Sequence, residues 1–199
     1  MNNQAQMRAS HMQSNVTCLD SLPKAEIIRR ECRSLIEPVE AALRISWLPL
    51  ELNRALVEEV EKRCGLAAAQ SWIHASLLRS MKGTLLKPVV DAVTYLGMGP
   101  EHGLKRCSYS WDLFYRNSGR VECTNAGIGE ATIVLSDAPA AATTPSYLRA
   151  IASAFEGFVL GLGGHAAKAK ILQDEHIEFS IRWSVAKTQV EQRRQDPAG

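Results

Sequence analysis

The sequence has little charge excess and no long apolar run, and both absences limit the functions open to it. Among its 199 residues, Lys and Arg number 23 and Asp and Glu number 21, so the charge does not indicate nucleic acid or an anionic membrane as the main partner. The mean hydropathy is −0.12, and no uninterrupted apolar segment is long enough to cross a bilayer. These patterns predict a soluble globular protein without a membrane span.

Disulfide and thiol motifs are missing as well. The chain has five scattered cysteines, Cys18, Cys32, Cys64, Cys107 and Cys123, and no Cys-x-x-Cys pair. An odd number of scattered thiols argues against a zinc ribbon or redox motif and is typical of reduced cysteines in a cytoplasmic protein. The N-terminus lacks a basic stretch followed by an apolar one, so no secretory signal is predicted.

Motifs that carry catalysis or metal binding are also lacking. No Gly-x-Ser-x-Gly elbow occurs, and no two histidines have the spacing of a helical zinc site. Gly161, Gly163 and Gly164 follow a helical segment, at the negative end of its dipole, whereas phosphate loops precede a helix. We therefore predict no enzyme, no metal site and no cofactor.

Composition divides the chain into three parts. Residues 1–20 are polar and include Ser-His-Met, so we expect a disordered or tag-derived lead. Residues 21–186 form one pattern without internal repeats, which predicts a single α+β domain. Residues 187–199 form a polar tail that we expect to be frayed.

Helical periodicity dominates the first part of the predicted domain. Apolar residues recur at helical spacing in four segments, which are Leu52–Cys64, Ala67–Met81, Leu85–Leu96 and Leu104–Asn117. This spacing predicts amphipathic helices with one buried face each. Ser21 and Pro23 indicate a shorter helix earlier, running to about Arg33.

The period changes at Gly119 from helical to alternating. Residues 121–135 predict a β-hairpin around the loop 125–129, and residues 168–184 predict a second one, with an amphipathic helix from Ser146 between them. Helices followed by two hairpins predict an α+β fold in which a layer of helices covers an antiparallel four-stranded sheet.

Two sets of residues are candidates for binding. The first is the inner wall of a ligand pocket between sheet and helices, comprising Leu85, Val89, Val93, Phe155, Phe158, Phe179 and Trp183. Pockets and cores use the same residue types, so we expect about a third of these residues to touch a ligand if a pocket exists.

The second set lies on the aromatic helix, comprising Tyr109, Trp111, Tyr115 and Arg116. Such residues are favoured at binding sites, so they are candidates for a protein contact surface or for a pocket lining. The alternative is that one stripe packs on the sheet and the rest is ordinary surface.

The C-terminal part of the sequence resembles a known family. Gly157-Phe158-Val159-Leu160-Gly161 and Ile177–Trp183 resemble an uncharacterised myxobacterial family of about this length, found in many paralogous copies. The order of elements also resembles a fold group that includes haem-dependent nitric oxide sensors, four-vinyl-reductase-type domains and small TRAPP subunits. That resemblance implies helices over a four-stranded sheet, a ligand cavity between the layers and frequent dimers.

The sequence departs from these relatives at the cofactor residues. It lacks the Tyr-x-Ser-x-Arg motif of the haem sensors, which Tyr109-Ser110-Trp111-Asp112 does not supply. It also lacks the cysteine-bearing end of the four-vinyl-reductase type. Haem and metal are therefore not carried over from the resemblance.

Two functional hypotheses remain open. The first is a non-catalytic bacterial sensor or adaptor in signalling, which binds an apolar small molecule or a partner protein. The alternative is a homodimeric scaffold with a filled core and no ligand.

Overall fold

The structure is a computed structural model that describes residues 4–83, 86–173 and 176–185. Its helices are α1 Ala9–Cys18, α2 Ala25–Glu31, α3 Arg33–Ala41, α4 Leu50–Cys64, α5 Leu66–Met81, α6 Lys87–Tyr95, α7 Pro100–Leu104, α8 Cys107–Phe114 and α9 Pro145–Gly161. Its strands are β1 Gln6–Arg8, β2 Trp47–Pro49, β3 Tyr115–Arg116, β4 Arg120–Gly127, β5 Glu130–Ser136, β6 His165–Gln173 and β7 Ile177–Ser184.

The predicted four-stranded antiparallel sheet is confirmed. Its strand order is β4-β5-β7-β6. The first predicted hairpin is the pair β4 and β5, the second is the pair β6 and β7, and β5 pairs with β7 to join the two hairpins. Ile133 faces Phe179 in the register of β5 and β7, and both side chains are fully buried. The alternation of β7 places Phe179, Ile181 and Trp183 on the core side.

Helix α9 is the central helix of the layer that covers the sheet. It begins with Pro145, which suits a first helical turn because proline has no N–H to satisfy there. One side of α9 packs on β6 and the other on α5. A Cβ on Gly157 would lie 3.3 Å from Cα of His74, so the absence of a side chain permits the close approach of α9 to α5.

The lead at residues 1–20 is not disordered in the part that the structure describes, and its tag-derived origin stays a prediction. Strand β1 is the middle strand of a second, three-stranded sheet with the order β2-β1-β3. Helix α1 follows and packs against α5. Met12, Val16 and Leu19 have the spacing of one helical face and are at most 2% exposed.

The buried polar side chains of His11, Ser14 and Asn15 in this segment have hydrogen-bond partners. Asn15 Nδ2 donates a 2.7 Å hydrogen bond to Asn53 Oδ1, and Asn53 Nδ2 donates to the hydroxyl of Tyr147 at 3.2 Å. Trp72 Nε1 donates to the Asn15 carbonyl, and Ser76 also donates to the Asn15 side chain. Polar residues in this segment therefore do not indicate exposure, because hydrogen bonds offset their burial.

The predicted helix Leu104–Asn117 is wrong at both ends. The chain forms the short helix α7, then α8, and becomes extended at Tyr115. The cause is long-range pairing, because Tyr115 and Arg116 form β3 and pair with Met7 and Gln6 of β1. The predicted tail, residues 187–199, lies outside the described residues. Within the described part, no helix is both long and apolar enough to cross a membrane.

Candidate ligand cavity

A small apolar cavity lies among α1, α5, α8 and α9. Its volume is about 80 Å³, and it is partly open to the surface. The described residues that line it are His11, Leu77, Leu86, Cys107, Ser110, Trp111, Phe114, Tyr115, Ile151, Ala154, Phe155 and Phe158. Most of these side chains are hydrocarbon or aromatic, so the cavity favours an apolar occupant.

Ring contacts hold the aromatic wall of the cavity. Trp111 and Tyr115 stack with ring centroids 3.9 Å apart, and Trp111 Nε1 donates to the carbonyl of Gly119 at 3.2 Å. The rings of His11 and Phe114 lie 4.7 Å apart, centroid to centroid. These contacts fix the positions of four rings around the cavity.

His11 is a neutral base on this wall. Its Nδ1 is hydrogen-bonded to Ser80 Oγ at 2.8 Å, and its side chain is buried in α1. Burial lowers the pKa of His11 to about 4, because the low-dielectric surroundings disfavour the imidazolium. At neutral pH this ring is therefore a polar group without charge.

The other titratable groups on the wall are neutral too. Burial raises the pKa of Cys107 to about 12, so its sulfur remains a thiol. Burial also raises the pKa of Tyr115 well above its usual value, and the Tyr115 hydroxyl is hydrogen-bonded to that of Tyr147. None of the described residues on this wall carries an ionised group, and such a wall is suited to binding an uncharged molecule.

Ser110 is a polar residue on this wall whose hydroxyl lacks a partner in the described part of the structure. Its Oγ is buried and has no hydrogen-bond partner among the described residues. An unpaired hydroxyl in an apolar setting carries a desolvation cost of roughly 1–3 kcal/mol. A ligand with one hydrogen-bonding atom would remove that cost.

The structure brings two of the predicted wall residues to the cavity. Phe155 and Phe158 line it from α9. Val93 is buried in α6, and Phe179 and Trp183 are buried on β7, but these three do not line the cavity. Leu85 and the side chain of Val89 lie outside the described part of the structure.

Trp111 and Tyr115 are candidates for a protein contact surface or a pocket lining, and both side chains lie on the wall of the cavity. Trp111 is 7% exposed, and both residues line the cavity, because β3 draws this segment against β1. Tyr109 is 58% exposed and Arg116 is exposed, with its guanidinium 4.1 Å from the ring centre of Trp47. A role for Tyr109 and Arg116 in partner binding stays a prediction.

Sequence reasoning missed His11 and Ser110 as wall residues. His11 was excluded with the lead, although Met12, Val16 and Leu19 already indicated a helix with one buried face. No sequence pattern identifies Ser110 as a wall residue. Its position at the cavity depends on where helix α8 ends and on how α9 packs against it. Leu77 and Ile151 were visible as buried helix positions, but not as neighbours.

The fold places this protein among α+β proteins in which helices cover a four-stranded antiparallel sheet. No protein-family model and no curated protein sequence matches the chain. Two solved structures are similar in fold. One is a Cs H-NOX mutant with 4-cyano-L-phenylalanine at site 5, with a TM-score of 0.57 at 9% identity, covering 91% of this chain and 98% of that one.

The second is an oxygen-binding H-NOX domain related to soluble guanylate cyclases, in its oxygen complex. It has a TM-score of 0.55 at 10% identity, covering 89% of this chain and 95% of that one. The protein therefore has an H-NOX-like fold. At this identity the likeness concerns the fold alone.

The haem implied by the resemblance to nitric oxide sensors does not fit the cavity of this structure. A volume of about 80 Å³ is far below the roughly 300–1,000 Å³ of pockets that hold larger organic ligands. No Arg or Lys is among the described lining residues to pair with the carboxylates of a haem. Among the described lining residues His11 supplies the one imidazole.

Proposed function

We propose that this chain is a sensor domain that binds a small, mostly apolar molecule in the cavity among α1, α5, α8 and α9. The observation that carries the proposal is the apolar wall itself, with the unpartnered Ser110 hydroxyl as its polar point. The ligand class is a molecule of a few carbon atoms with one group that can hydrogen-bond. An apolar cavity of about 150 Å³ binds benzene or xenon in another protein, so we propose that this cavity of about 80 Å³ takes occupants no larger than these.

The similar structures support a sensing role. One of them is an oxygen-binding H-NOX domain, so one protein with a similar fold binds a small molecule. Because haem does not fit here, we propose that the present chain uses apolar contacts and one hydrogen bond instead. We also propose that it is not an enzyme, since the described residues of the cavity wall include neither an ionised thiol nor a charged histidine.

The size of the cavity limits the affinity. The best small ligands gain roughly 1.5 kcal/mol per non-hydrogen atom. A ligand of about five such atoms therefore binds with a dissociation constant no lower than the micromolar range. We propose that the protein detects a compound present at micromolar or higher concentration in the cytoplasm.

An NMR titration with 1-butanol tests the proposal, because this probe has four carbons and one hydroxyl. We expect 1-butanol to shift amide signals of α5, α8 and α9 in the wild type. Ser110→Ala should weaken binding about three- to tenfold, as expected for one hydrogen bond. Ala154→Leu should abolish binding, because Ala154 lines the cavity and the added carbons fill it.

Ser108→Ala is the matched control, since Ser108 is exposed on the same helix. It should bind 1-butanol as the wild type does. Shifts that are absent in the wild type, or that persist unchanged in a folded Ala154→Leu variant, would reject the cavity as a ligand site. Thermal melting of each variant checks that it is folded.

A further inference from the structure

A polar groove of about 290 Å³ lies next to the apolar cavity, and Phe114 lines both. One wall is a stripe of α1 that consists of Ser10, Gln13, Ser14 and Thr17. These positions are i, i+3, i+4 and i+7, so their side chains project from one helical face. This stripe presents three hydroxyls and an amide to the groove.

Three cations complete the groove. Arg44 comes from the segment after α3, and Arg79 and Lys82 come from the C-terminal end of α5. All three side chains are exposed, and none has an ion-pair partner among the described residues. None of the described residues that line the groove is acidic. The dipole of α5 favours cations such as Arg79 and Lys82 at its C-terminal end. This dipole does not explain Arg44, which belongs to a different segment.

Hydrogen bonds fix the shape of the groove. The Ser10 N–H donates to the Arg44 carbonyl at 3.0 Å, which holds the Arg44 segment against the start of α1. Gln13 Nε2 donates to the carbonyls of Val39 and Ala42, at 3.0 and 2.8 Å. The Ser10 Oγ is buried and has no partner among the described residues. The groove therefore has a fixed wall, and one of its hydroxyls is unsatisfied.

We infer that this groove binds the phosphate group of a small phosphorylated molecule. A phosphate monoester has a charge of about −1.5 to −2 and three acceptor oxygens. Two guanidinium groups and one ammonium group supply three positive charges, which more than offset this charge, and arginine suits phosphate through paired N–H donors. The volume of about 290 Å³ leaves room for an organic part beside the phosphate. Its donor groups can bond to the hydroxyl oxygens of Ser14 and Thr17, because these hydroxyls already donate to the carbonyls of Ser10 and Gln13.

Isothermal titration calorimetry with adenosine 5′-monophosphate and with inorganic phosphate tests the inference. The wild type should bind both compounds, and adenosine monophosphate more tightly. The triple variant Arg44→Gln, Arg79→Gln, Lys82→Gln should bind at least about a hundredfold more weakly, since each charged hydrogen bond contributes roughly tenfold. If this triple variant does not fold, Lys82→Gln alone should show a loss of about tenfold.

The matched control is the triple variant Lys105→Gln, Arg106→Gln, Arg182→Gln. It removes three exposed cations outside the groove, and none of them has an ion pair among the described residues. This control should bind within about threefold of the wild type. An equal loss in both triple variants would overturn the inference, because it would indicate attraction to net charge alone.

Two further outcomes would also overturn it. One is that the wild type binds neither compound at millimolar concentration, or binds citrate as tightly as adenosine monophosphate. The other is binding to phosphatidylcholine vesicles that contain phosphatidate without binding to the soluble phosphates, which would assign the groove to a lipid headgroup. Because Ser110 and Ala154 do not line this groove, failure here leaves the 1-butanol test of the apolar cavity unaffected.

Discussion

His11 connects the two sites at the scale of a single residue. Its ring lines the apolar cavity, and its Nδ1 is bonded to Ser80, which lines the polar groove. Because burial lowers the pKa of His11 to about 4 from the usual 6.5, the unfolded chain binds a proton here more readily than the folded one. Stability from this residue is therefore complete above pH 6.5 and falls as the pH drops towards 4.

We expect the free energy of unfolding of the wild type to fall by about 3 kcal/mol more than that of His11→Gln between pH 7 and pH 4. Glutamine keeps a hydrogen-bonding group near Ser80 but does not titrate in this range. Urea unfolding of both proteins at several pH values measures the difference. If the free energy of unfolding depended on pH in the same way in the wild type and in His11→Gln, His11 would not be a buried, neutral residue.

Glu156 provides a second prediction at this scale. It is buried on α9, where its carboxylate accepts hydrogen bonds from His74 Nε2 at 3.0 Å and from the Ala169 N–H of the edge strand β6 at 2.8 Å. Burial alone raises the pKa of Glu156, but the hydrogen bonds outweigh it and hold the pKa below its usual value. The ionised form therefore stabilises the fold at neutral pH, and this contribution is lost as the pH falls below about 4.5.

Glu156→Gln should lower the free energy of unfolding at pH 7 by about 1–3 kcal/mol, because it weakens charge-assisted hydrogen bonds in a buried setting. Glu130→Gln is the control, since Glu130 is exposed on β5, and it should change stability by less than about 0.5 kcal/mol. The difference in the free energy of unfolding between Glu156→Gln and the wild type should narrow in acid. A gap that widens below pH 4 would refute the ionised state of Glu156.

At the scale of elements, α1 joins the layers of the molecule. It packs against α5, contributes His11 to the cavity and presents Ser10 and Thr17 to the groove. Met12 is 1% exposed on its inner face. A core position of this kind loses about 2–5 kcal/mol of stability when it is truncated to alanine.

We therefore expect Met12→Ala to destabilise the protein by about 2–5 kcal/mol in chemical denaturation. Leu43→Ala serves as the comparison, because Leu43 is 72% exposed and should change stability by less than about 0.5 kcal/mol. If Met12→Ala had no larger effect than Leu43→Ala, residues 9–18 would not belong to the core.

The sequence was sufficient to predict the sheet but not β1 or β3. The two-residue period of Ile177–Ser184 is a local signal, and it identified a strand whose buried face is Phe179, Ile181 and Trp183. Tyr115 lies in a helical pattern and becomes extended because β1 pairs with it across more than a hundred residues. Such pairing follows from tertiary structure, which overrides local propensity.

The candidate cavity was predictable only in part, for the same reason. The residue types of its wall are those of any core, so Phe155 and Phe158 could be proposed but not separated from Phe179. The hydrogen-bonding needs of Ser110 and the neutral state of His11 depend on burial by other elements. The residue types of the cavity wall could therefore be predicted from the sequence, whereas the arrangement of these residues around the cavity could not.

At the scale of the whole molecule, the cavity lies where four helices meet above the sheet. The alternative function, a homodimeric scaffold with a filled core, predicts a stable dimer and no response to small apolar molecules. Size-exclusion chromatography with light scattering measures the oligomeric state. The response to a small apolar molecule separates the two functions, because a dimer is compatible with the proposed sensor as well.

A crystal of the protein pressurised with xenon tests the central claim most directly, because xenon occupies accessible apolar cavities and scatters X-rays strongly. We expect one xenon atom among Leu77, Trp111, Ile151 and Phe155, and none at this place in Ala154→Leu. A wild-type crystal without xenon density between α5, α8 and α9 would contradict the account.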